Sequence, residues 1–479
     1  MFWTLENFRK ILAGTWLAKP AEPLAHGIEG VSIDSRTIEP GQVFFALKGE
    51  THDGHRFVEQ VAAAGASVVI LKDAGAIGPD FAKRFPGVAV LRVADTRRAM
   101  GQLALAYRRS LDSMRVIAVT GSNGKTTTVR LIDAMLKTRF RGRASIKSYN
   151  NEIGVPLTIF SAKPGDQYLV CEIGMNAPGE IAPLAKMVEP DVAVISSIGR
   201  AHIEAFGDAD GIVKEKASLL SFIRPHGLAV ATADCPALDP YLKPVPNVVL
   251  FGRSERADLR LTAFEHTGDP PSGLRFTIND RVTHEVPLIG EHNALNAMAA
   301  VAVGRRLGLE EAEISEGLRG VEPAEMRLRR EEVAGLALFN DSYNSSPESA
   351  MAAIRTFADL SQRAPRRVIV LGDMLEQGSH AEKSHTELGE SLVEWFGPSR
   401  PGLDVLVTVG AHAGLAAEVV ERVCPRTEIV ALERADEAGV ERVCGLLEAG
   451  DAVLLKGSRG VGLDRIAAAL RRLPEPAGH

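Results

Sequence analysis

A glycine-rich loop between an apolar run and a helix constrains the fold of this chain more than any other stretch. The loop follows the apolar residues 114–119 and reads Thr120-Gly121-Ser122-Asn123-Gly124-Lys125-Thr126-Thr127-Thr128. Glycines lack a Cβ, so several backbone N–H groups can converge on anionic oxygens, and the helix that begins at the threonines adds the positive end of its dipole. The sequence therefore predicts a phosphate-binding loop after a buried strand; an ordinary glycine turn is the alternative.

Two side chains of this loop have expected contacts with a nucleotide. Lys125 would reach the β- and γ-phosphates, and the Thr126 hydroxyl would bind Mg²⁺. The loop is shorter than the general nucleotide-binding pattern, because two residues rather than four separate Gly121 from Gly124. The Gly-Lys-Thr sequence in its strand-to-helix context still favours nucleotide binding over a simple turn.

Composition and charge exclude several other kinds of protein. The chain has 479 residues, so about two to four domains are expected. Its net charge of −6, without a dense run of lysine and arginine, argues against a nucleic-acid partner. No apolar run approaches the roughly 18 residues that a membrane span needs, and the four cysteines lack metal-binding spacing. We therefore expect a cytoplasmic protein with reduced thiols and no membrane span.

The order of apolar strands and helical stretches predicts an α/β protein of three domains. Residues 1–112 form a small N-terminal α/β domain, 113–325 a central P-loop ATPase domain with a parallel sheet, and 326–479 a C-terminal Rossmann-like domain. The predicted strands are 31–36, 43–47, 67–71, 116–119, 168–171, 192–195, 368–371, 405–409 and 452–455. Residues 1–18 are apolar with charges at helical intervals, which predicts an amphipathic docking helix rather than a signal peptide.

Polar residues follow two of the predicted central strands. Glu172 comes directly after the strand 168–171, and His202 lies a few residues beyond the strand 192–195. Ligands of parallel α/β sheets bind beyond the carboxyl ends of the strands, so both side chains are expected on the same rim as Lys125. A carboxylate there suits Mg²⁺, whereas imidazole is an unusual Mg²⁺ ligand. The alternatives are that Glu172 caps a loop and that His202 is a surface residue.

Other polar positions allow two interpretations each. Asn293 and Asn296 lie three apart on one helical face, so they could bind a flat polar group such as a purine edge; N-capping by Asn293 is the alternative. Lys214 and Lys216 open a helix, where solvated lysines are the default. The triplet 34–36 is either an exposed edge or a ligand contact. Polar clusters that are either turns or substrate contacts lie at 340–347, 372–376 and 456–459, the last two directly after strands.

Together these motifs resemble those of the Mur ligases of bacterial cell-wall synthesis. The resemblance covers all three units and rests on the loop at 121–127, Glu172, Ala201-His202, the Lys-x-Lys at 214–216, the Gly-x-His-Asn-x-x-Asn at 290–296 and the Asp-Ser-Tyr-Asn at 341–344. It implies an ATP-dependent ligase that phosphorylates a carboxylate to an acyl phosphate, from which an amine then displaces phosphate.

Within this family, the segments 34–36, 45–57, 341–347 and 370–374 are most similar to the member that joins D-alanyl-D-alanine to UDP-N-acetylmuramoyl-tripeptide. A monomer that uses ATP and two Mg²⁺ ions is then expected, with domain closure about linkers near 112 and 326. One alternative is another amino-acid ligase of the family, either the enzyme that adds the third residue of the peptide or a folylpolyglutamate-type enzyme. The other alternative is a P-loop ATPase that makes no bond. The segment 341–344 lacks the Asp-Asn-Pro motif associated with diamino-acid selection, which disfavours the third-residue enzyme.

The resemblance also implies roles for single residues on the metal side of the site. Thr126 and Glu172 would hold one Mg²⁺, and His202 would join a second site. Lys216 aligns with a lysine that CO₂ converts to a carbamate, although Lys214 is close enough to leave that choice open.

The remaining implied roles concern the nucleotides and the substrate. Asn293 and Asn296 would contact adenine, and Asp341 would contact the ribose. Arg327 would contact phosphate, with Arg329 as the alternative, because the surrounding sequence departs from the expected Gly-Arg pattern. The uridine nucleotide would lie on Asp34, Ser35 and Arg36, and Asn344 would contact substrate.

Overall fold

The computed structural model describes residues 2–20, 24, 26–146 and 148–474. In these residues the strands form sheets of five, nine and six strands, with helices packed on their faces. The predicted α/β architecture of three domains is therefore confirmed, and the structure adds that each of the three sheets is largely parallel. No helix in the described ranges has the length and apolar character to span a membrane.

The first sheet has the strand order β1-β5-β4-β3-β2, in which β2 to β5 are parallel and β1 is antiparallel to β5. Its strands are β1 Thr15–Ala18, β2 Val31–Ser32, β3 Val43–Phe45, β4 Val68–Leu71 and β5 Ala89–Arg92. The helices of this region are α1 Leu5–Leu12, α2 Val58–Ala63, α3 Phe81–Arg84 and α4 Thr96–Ser110. The predicted amphipathic helix is α1, which buries Phe8 and Leu12 and is capped by the Thr4 hydroxyl.

The predicted strand over 31–36 is wrong beyond Ser32. The Asp34 carboxylate accepts a hydrogen bond from the Arg36 backbone N–H at 3.0 Å, and the Ser32 hydroxyl accepts one from the Asp34 N–H at 3.1 Å. Short polar side chains that bond to nearby backbone compete with strand pairing, so the chain turns here.

The central sheet has the order β14-β13-β12-β11-β10-β9-β6-β8-β7 and is parallel from β7 to β12, with β13 and β14 added as an antiparallel hairpin. Its strands are β6 Arg115–Thr120, β7 Gly142–Ala144, β8 Tyr168–Glu172, β9 Val192–Ile195, β10 Leu228–Thr232, β11 Val248–Gly252, β12 Leu259–Thr267, β13 Gly273–Ile278 and β14 Val282–Val286. The helices are α5 Lys125–Leu136, α6 Gly154–Ser161, α7 Ile181–Val188, α8 Ile203–Phe206, α9 Ala209–Ala217, α10 Asp239–Leu242, α11 Glu291–Arg306 and α12 Glu311–Arg319. Because β6 lies between β8 and β9, the residues that follow these three strands share one edge of the sheet.

The third sheet has the order β15-β16-β20-β17-β18-β19 and is parallel except for β15. Its strands are β15 Arg329–Val333, β16 Leu336–Asp341, β17 Arg367–Gly372, β18 Val405–Val409, β19 Glu428–Leu432 and β20 Ala452–Lys456. The helices are α13 Pro347–Leu360, α14 Ala381–Phe396, α15 Ala413–Val423, α16 Glu437–Leu446 and α17 Asp464–Leu470. The three strands predicted beyond residue 366 all form, with ends that differ by one residue at most.

Helix α4 packs the first sheet against the central one. The Tyr107 hydroxyl donates to the Ala162 carbonyl at 2.7 Å, and the buried Arg108 donates to the Val188 carbonyl at 2.9 Å. Arg108 also forms an ion pair with Asp191 at 3.2 Å. The predicted domain limit after 112 falls between α4 and β6, and the limit after 325 falls between α12 and β15; both limits stay predictions.

Candidate active site

A cavity of about 520 Å³ lies where the central and C-terminal sheets meet. It is lined by most of the residues that the sequence singled out: Ser122, Asn123, Gly124, Lys125, Thr126, Thr127, Glu172, His202, Asn293, Asn296, Arg327, Asp341 and Asn344. Gly121, Lys216 and the triplet 34–36 are outside the lining. The roles expected of these residues stay predictions, but thirteen of them are brought together around one space.

The glycines of the loop are required by close approach as well as by conformation. A Cβ on Gly121 would lie 2.1 Å from the Ser196 hydroxyl, and one on Gly124 would lie 2.2 Å from Asn296 Oδ1. Gly124 also has a φ of 80°, which side chains rarely adopt. Lys125 folds back over this loop and donates to the Gly121 carbonyl at 2.8 Å, and its burial lowers the pKa of its amine.

The Thr126 hydroxyl and the Glu172 carboxylate form a buried pair at the end of β8. Thr126 donates to Glu172 Oε2 at 2.8 Å, and Asn150 donates to Glu172 Oε1 at 2.8 Å. The alternative that Glu172 caps a loop is wrong, since its carboxylate faces side chains of the cavity. Among the described residues no three His, Cys, Asp or Glu side chains are grouped to hold a metal. Hydroxyl and carboxylate oxygens such as those of this pair are of the ligand type that Mg²⁺ prefers.

His202 is held at the boundary between the central and C-terminal domains. It has a left-handed backbone, with φ of 64°, and its Nδ1 lies 2.5 Å from Glu376 Oε2. This close approach of His202 is the main reason why the pKa of Glu376 is lowered. The His202 side chain is 16% exposed, so the alternative of a surface residue is wrong.

Lys216 and Lys214 differ in burial, which separates two residues that the sequence left equivalent. Lys216, near the end of α9, is 1% exposed, and its Nζ lies 3.6 Å from the Met175 sulfur. Burial, and secondarily the charge of Lys125, holds the pKa of Lys216 well below its usual range. Lys214 is exposed. The expectation that these lysines are solvated is therefore wrong for Lys216, whereas Lys214 is exposed as expected.

Two buried amides cross the floor of the cavity from α11. Asn293 donates to the Ile289 carbonyl at 2.8 Å, and Asn296 donates to Asn293 Oδ1 at 3.1 Å. The N-cap of α11 is Gly290, so N-capping by Asn293 is wrong. The adjacent His292 also lines the cavity, and burial lowers its pKa to about 4. His292 appeared in the sequence only as part of a motif.

Arg327 enters the cavity from a strained segment of the backbone. Its neighbours Met326 and Leu328 both have left-handed φ values, 56° and 52°. The Arg327 guanidinium donates to the Thr126 hydroxyl at 3.2 Å, and its carbon lies 4.2 Å from the centre of the Tyr343 ring. Arg329 is exposed on β15 and does not line the cavity. Of the two arginines left open by the sequence, Arg327 is the one at the site.

Asp341 is fixed by both of its carboxylate oxygens. Oδ1 accepts from the Leu328 N–H at 3.0 Å, and Oδ2 lies 2.5 Å from the Lys456 ammonium. Lys456 also donates to the Asn344 carbonyl at 3.0 Å. Sequence reasoning noted Lys456 only within a polar cluster after a strand. The parallel pairing of β16 with β20 sets Lys456 directly opposite Asp341.

Further contacts across the cavity join the central and C-terminal domains. Ser346 donates to Asn123 Oδ1 at 3.0 Å, and the Tyr343 hydroxyl donates to the Ser148 hydroxyl at 2.7 Å. Arg200 pairs with Glu348 at 3.0 Å. Domain closure stays a prediction, and these contacts are the ones that an open state would break.

The other polar clusters of the sequence lie elsewhere. Arg36 and Asp34 form an exposed ion pair at 2.6 Å on the N-terminal domain, and hydrogen bonding to Arg36 lowers the pKa of Asp34 to about 2. The Asp373 carboxylate accepts backbone N–H groups of residues 411–413, at 2.7 to 3.0 Å. This carboxylate therefore holds the start of α15, and the expectation of a substrate contact in its cluster is wrong for Asp373.

Three family descriptions match this chain in order along its length. They are "Mur ligase family, catalytic domain" over residues 27–108, "Mur ligase middle domain" over 119–304 and "Mur ligase, glutamate ligase domain" over 326–459. Together they account for most of the three-sheet architecture.

Individual relatives and solved structures match almost the whole chain. The UDP-N-acetylmuramoyl-tripeptide–D-alanyl-D-alanine ligase of Bacillus subtilis is 35% identical over 98% of this chain and 99% of its own. The ligase of the same name from Treponema pallidum is 32% identical over 94% and 95%. MurF from Acinetobacter baumannii, at 31% identity, has a TM-score of 0.84 over 98% of this chain and 99% of its own. MurF ligase from Thermotoga maritima in complex with ADP, at 26% identity, has a TM-score of 0.76 over 93% and 97%. The chain therefore belongs to the Mur ligase family.

Proposed function

We propose that this chain is an ATP-dependent ligase that joins D-alanyl-D-alanine to UDP-N-acetylmuramoyl-tripeptide and releases ADP and phosphate. The product is the UDP-MurNAc-pentapeptide of peptidoglycan synthesis. The observation that carries the proposal is a cavity in which a phosphate loop, a Thr–Glu oxygen pair and an arginine without a carboxylate partner among the described residues converge. The names of relatives that match nearly the full chain support the same reaction.

ATP would lie between the two domains that line the cavity. The loop at 121–127 would surround its phosphates with backbone N–H groups, and Asn293 and Asn296 would face adenine from α11. Asp341 would face the ribose from the C-terminal side. This arrangement requires both domains at once, which supports closure of one domain on the other during the reaction.

The first step needs neutralisation of charge, because a carboxylate must attack a polyanionic phosphate. Lys125 and Arg327 are the cations at the cavity without a carboxylate partner in the described ranges. They would be fixed donors for the γ-phosphate oxygens, on which negative charge develops. The tripeptide carboxylate bonds to the γ-phosphorus, and ADP leaves.

Mg²⁺ fits the oxygen pair of Thr126 and Glu172, with Asn150 holding the second carboxylate oxygen. When bound, the ion would supply further positive charge to the phosphate oxygens. A second ion beside His202 is also part of the proposal. The position of His202 in the lining of the cavity supports it. The close contact of His202 with Glu376 would orient the ring.

Carbamylation of Lys216 is a further part of the proposal. A buried amine whose pKa lies well below its usual range is largely neutral, and the neutral amine is the form that reacts with CO₂. The product would be an anionic oxygen ligand close to Met175, which lines the cavity. Its charge would also offset the nearby charge of Lys125.

In the second step, the amine of D-alanyl-D-alanine bonds to the acyl carbon, the C–O bond to phosphate breaks, and the ammonium proton passes to solvent. The exposed turn at 34–36 would hold the uridine nucleotide at a distance from this chemistry, and Asn344 would contact the peptide. A cytoplasmic monomer remains part of the proposal.

The test is formation of pentapeptide from ATP, Mg²⁺, UDP-MurNAc-tripeptide and D-alanyl-D-alanine, followed by mass spectrometry and phosphate release. We expect a mass gain of D-alanyl-D-alanine minus water that requires all of these reagents, and that is lost in Lys125→Met. Lys137→Met is the matched control, because this exposed lysine is the C-cap of the same helix. Product with a single amino acid but not with the dipeptide would indicate another ligase of the family, and ATP hydrolysis without product would indicate an ATPase.

A further inference from the structure

Helix α13 has two faces that pack against different layers of the protein. Its apolar face is buried in the core of the C-terminal sheet and consists of Ala350, Ala353, Ile354 and Phe357. The opposite face carries Glu348, Ala352 and Arg355. Glu348 and Ala352 line the large cavity, and Ala352 and Arg355 line an adjoining cavity of about 60 Å³. The charged face of α13 is therefore turned toward the central domain.

Near its N-terminus, α13 contacts the central domain through the Glu348 carboxylate. Arg200 approaches both oxygens, because its Nε lies 3.0 Å from Oε1 and its backbone N–H donates to Oε2 at 3.1 Å. A Cβ on Gly199 would lie 2.7 Å from Oε2, so the glutamate packs directly on this turn. The Arg200 guanidinium also donates to Glu387 Oε2 of α14 at 2.7 Å. One arginine of the central domain thus binds two carboxylates of the C-terminal domain.

Two turns further along, α13 contacts the central domain with the opposite charge. Arg355 Nη1 lies 3.0 Å from Glu291 Oε2, and the Glu291 side chain at the start of α11 is 14% exposed. The other oxygen of Glu291 accepts from Arg253 of the central domain. The Glu291 carboxylate is therefore shared by arginines from both sides of the cavity.

The order of charges along α13 specifies how the helix docks. Glu348 and Arg355 are seven residues apart, so they lie about 10 Å apart on one face of the helix. A helix shifted by two turns would bring Glu348 against Glu291 or Arg355 against Arg200. Because like charges at an interface are costly, the two pairs favour one position of α13 over its shifted alternatives.

The first pair also lies next to a contact with the phosphate loop. Ser346, the N-cap of α13, donates to Asn123 Oδ1 of the loop at 3.0 Å. Glu348, two residues later, lines the cavity itself. The docking of α13 therefore sets the distance between the phosphate loop and the C-terminal wall of the cavity.

We propose that the pairs Arg200–Glu348 and Glu291–Arg355 form a charge latch that holds the closed arrangement of the two domains around the nucleotide. Arg200 and Arg355 are positioning residues, because they act through the placement of α13. The inference rests on the proposed function, since it names the contacts that regulate closure of that site. Two separate pairs of modest strength allow the domains to part again when the products leave.

The experiment compares the wild type with Arg355→Met, Arg355→Lys and Arg200→Met. Calorimetry measures binding of a non-hydrolysable ATP analogue with Mg²⁺, and X-ray scattering measures the radius of gyration of the bound state. At low salt, we expect either methionine variant to bind the analogue about three- to tenfold more weakly and to be less compact. Arg355→Lys keeps the charge and should recover part of the affinity.

Salt distinguishes a charge latch from a purely structural role. The Arg355 side chain is 46% exposed, so salt screens its pair with Glu291. At about 0.5 M KCl, the difference in affinity between wild type and Arg355→Met should shrink to less than about twofold. In turnover assays, Arg355→Met should raise the KM of ATP and leave kcat near that of the wild type.

Arg400→Met is the matched control. Arg400 and Arg355 lie over the same Trp395 ring, at 4.7 and 5.4 Å from its centre, but among the described residues only Arg355 of the two forms an ion pair. We expect Arg400→Met to bind the analogue as the wild type does.

Wild-type affinity and compactness in Arg355→Met or in Arg200→Met at low salt would overturn the latch. A loss of affinity that persists unchanged at high salt would overturn it as well. Both assays need only protein, nucleotide and Mg²⁺, so they test the latch separately from the reaction. Absence of pentapeptide from a wild type that binds the analogue would refute the proposed function instead.

Discussion

Replacement of Lys456 by methionine removes the cation that neutralises Asp341. The Lys456 side chain is 2% exposed and that of Asp341 is 16% exposed, so the substitution leaves a carboxylate without its charge partner in a largely buried site. Breaking a buried ion pair on one side costs about 3–5 kcal/mol. Asp341 keeps its hydrogen bond from Leu328 and some contact with water, so we expect the lower end, about 3 kcal/mol.

For a domain of this size, that cost corresponds to a fall of about 6–12 °C in the melting temperature. The KM for ATP should rise as well, because Asp341 holds the Leu328 N–H beside Arg327. Thermal melting and steady-state kinetics measure the two effects. Lys383→Met is the control, since this lysine of the same domain is 74% exposed and its loss should cost less than about 0.5 kcal/mol.

The double variant Lys456→Met with Asp341→Asn separates charge from packing. Removing both charges leaves no unpaired ion, so the loss in the double variant should be clearly smaller than the sum of the single losses. Additive losses, or a Lys456→Met protein with wild-type melting and an unchanged KM, would refute the role given to this pair.

Three further predictions concern the cavity. Gly124→Ala should nearly abolish ATP turnover and lower stability by at least about 1–2 kcal/mol, because its Cβ would meet Asn296 and its φ would be strained; kinetics and thermal melting check both. Glu172→Gln should lower kcat about 100-fold or more with little change in melting, since it keeps the shape beside Thr126 but removes the charge; near-normal turnover at low Mg²⁺ would count against a metal site there. The third concerns His292, whose pKa falls to about 4 on folding. The folded state therefore binds fewer protons than the unfolded state between about pH 4 and 6.5. As a result, stability is lost as the pH falls through that window. Urea unfolding of the wild type should therefore show a loss of about 2 kcal/mol between pH 7 and pH 5 that is missing in His292→Phe, and identical pH dependence in the two proteins would contradict it.

The sequence predicted those parts of the site that depend on local pattern and on the rules of parallel sheets. The loop at 121–127 is local, because its glycines and the adjoining strand and helix are contiguous in the chain. Glu172 and His202 were expected on the same rim because they follow neighbouring strands, and both line the cavity. The fold class followed from the same alternation of strands and helices.

Local sequence patterns do not predict which distant segments of the chain come into contact. The pairing of His202 with Glu376 and that of Asp341 with Lys456 depend on how the domains dock and on the order of strands in the third sheet. The burial of Lys216 depends on what packs over α9, which a charge pattern along one helix does not contain. Local competition explains why the strand predicted over 31–36 is shorter than expected, because side-chain bonds around Asp34 end β2 early.

The acyl phosphate is the central claim, and an isotope experiment tests it most directly. The terminal carboxylate of the tripeptide is labelled with ¹⁸O, and the phosphate released during pentapeptide formation is analysed by mass spectrometry. If the carboxylate attacks the γ-phosphate and the amine then displaces phosphate, one ¹⁸O from the doubly labelled carboxylate appears in each phosphate. Unlabelled phosphate released together with pentapeptide would contradict the mechanism inferred from this cavity.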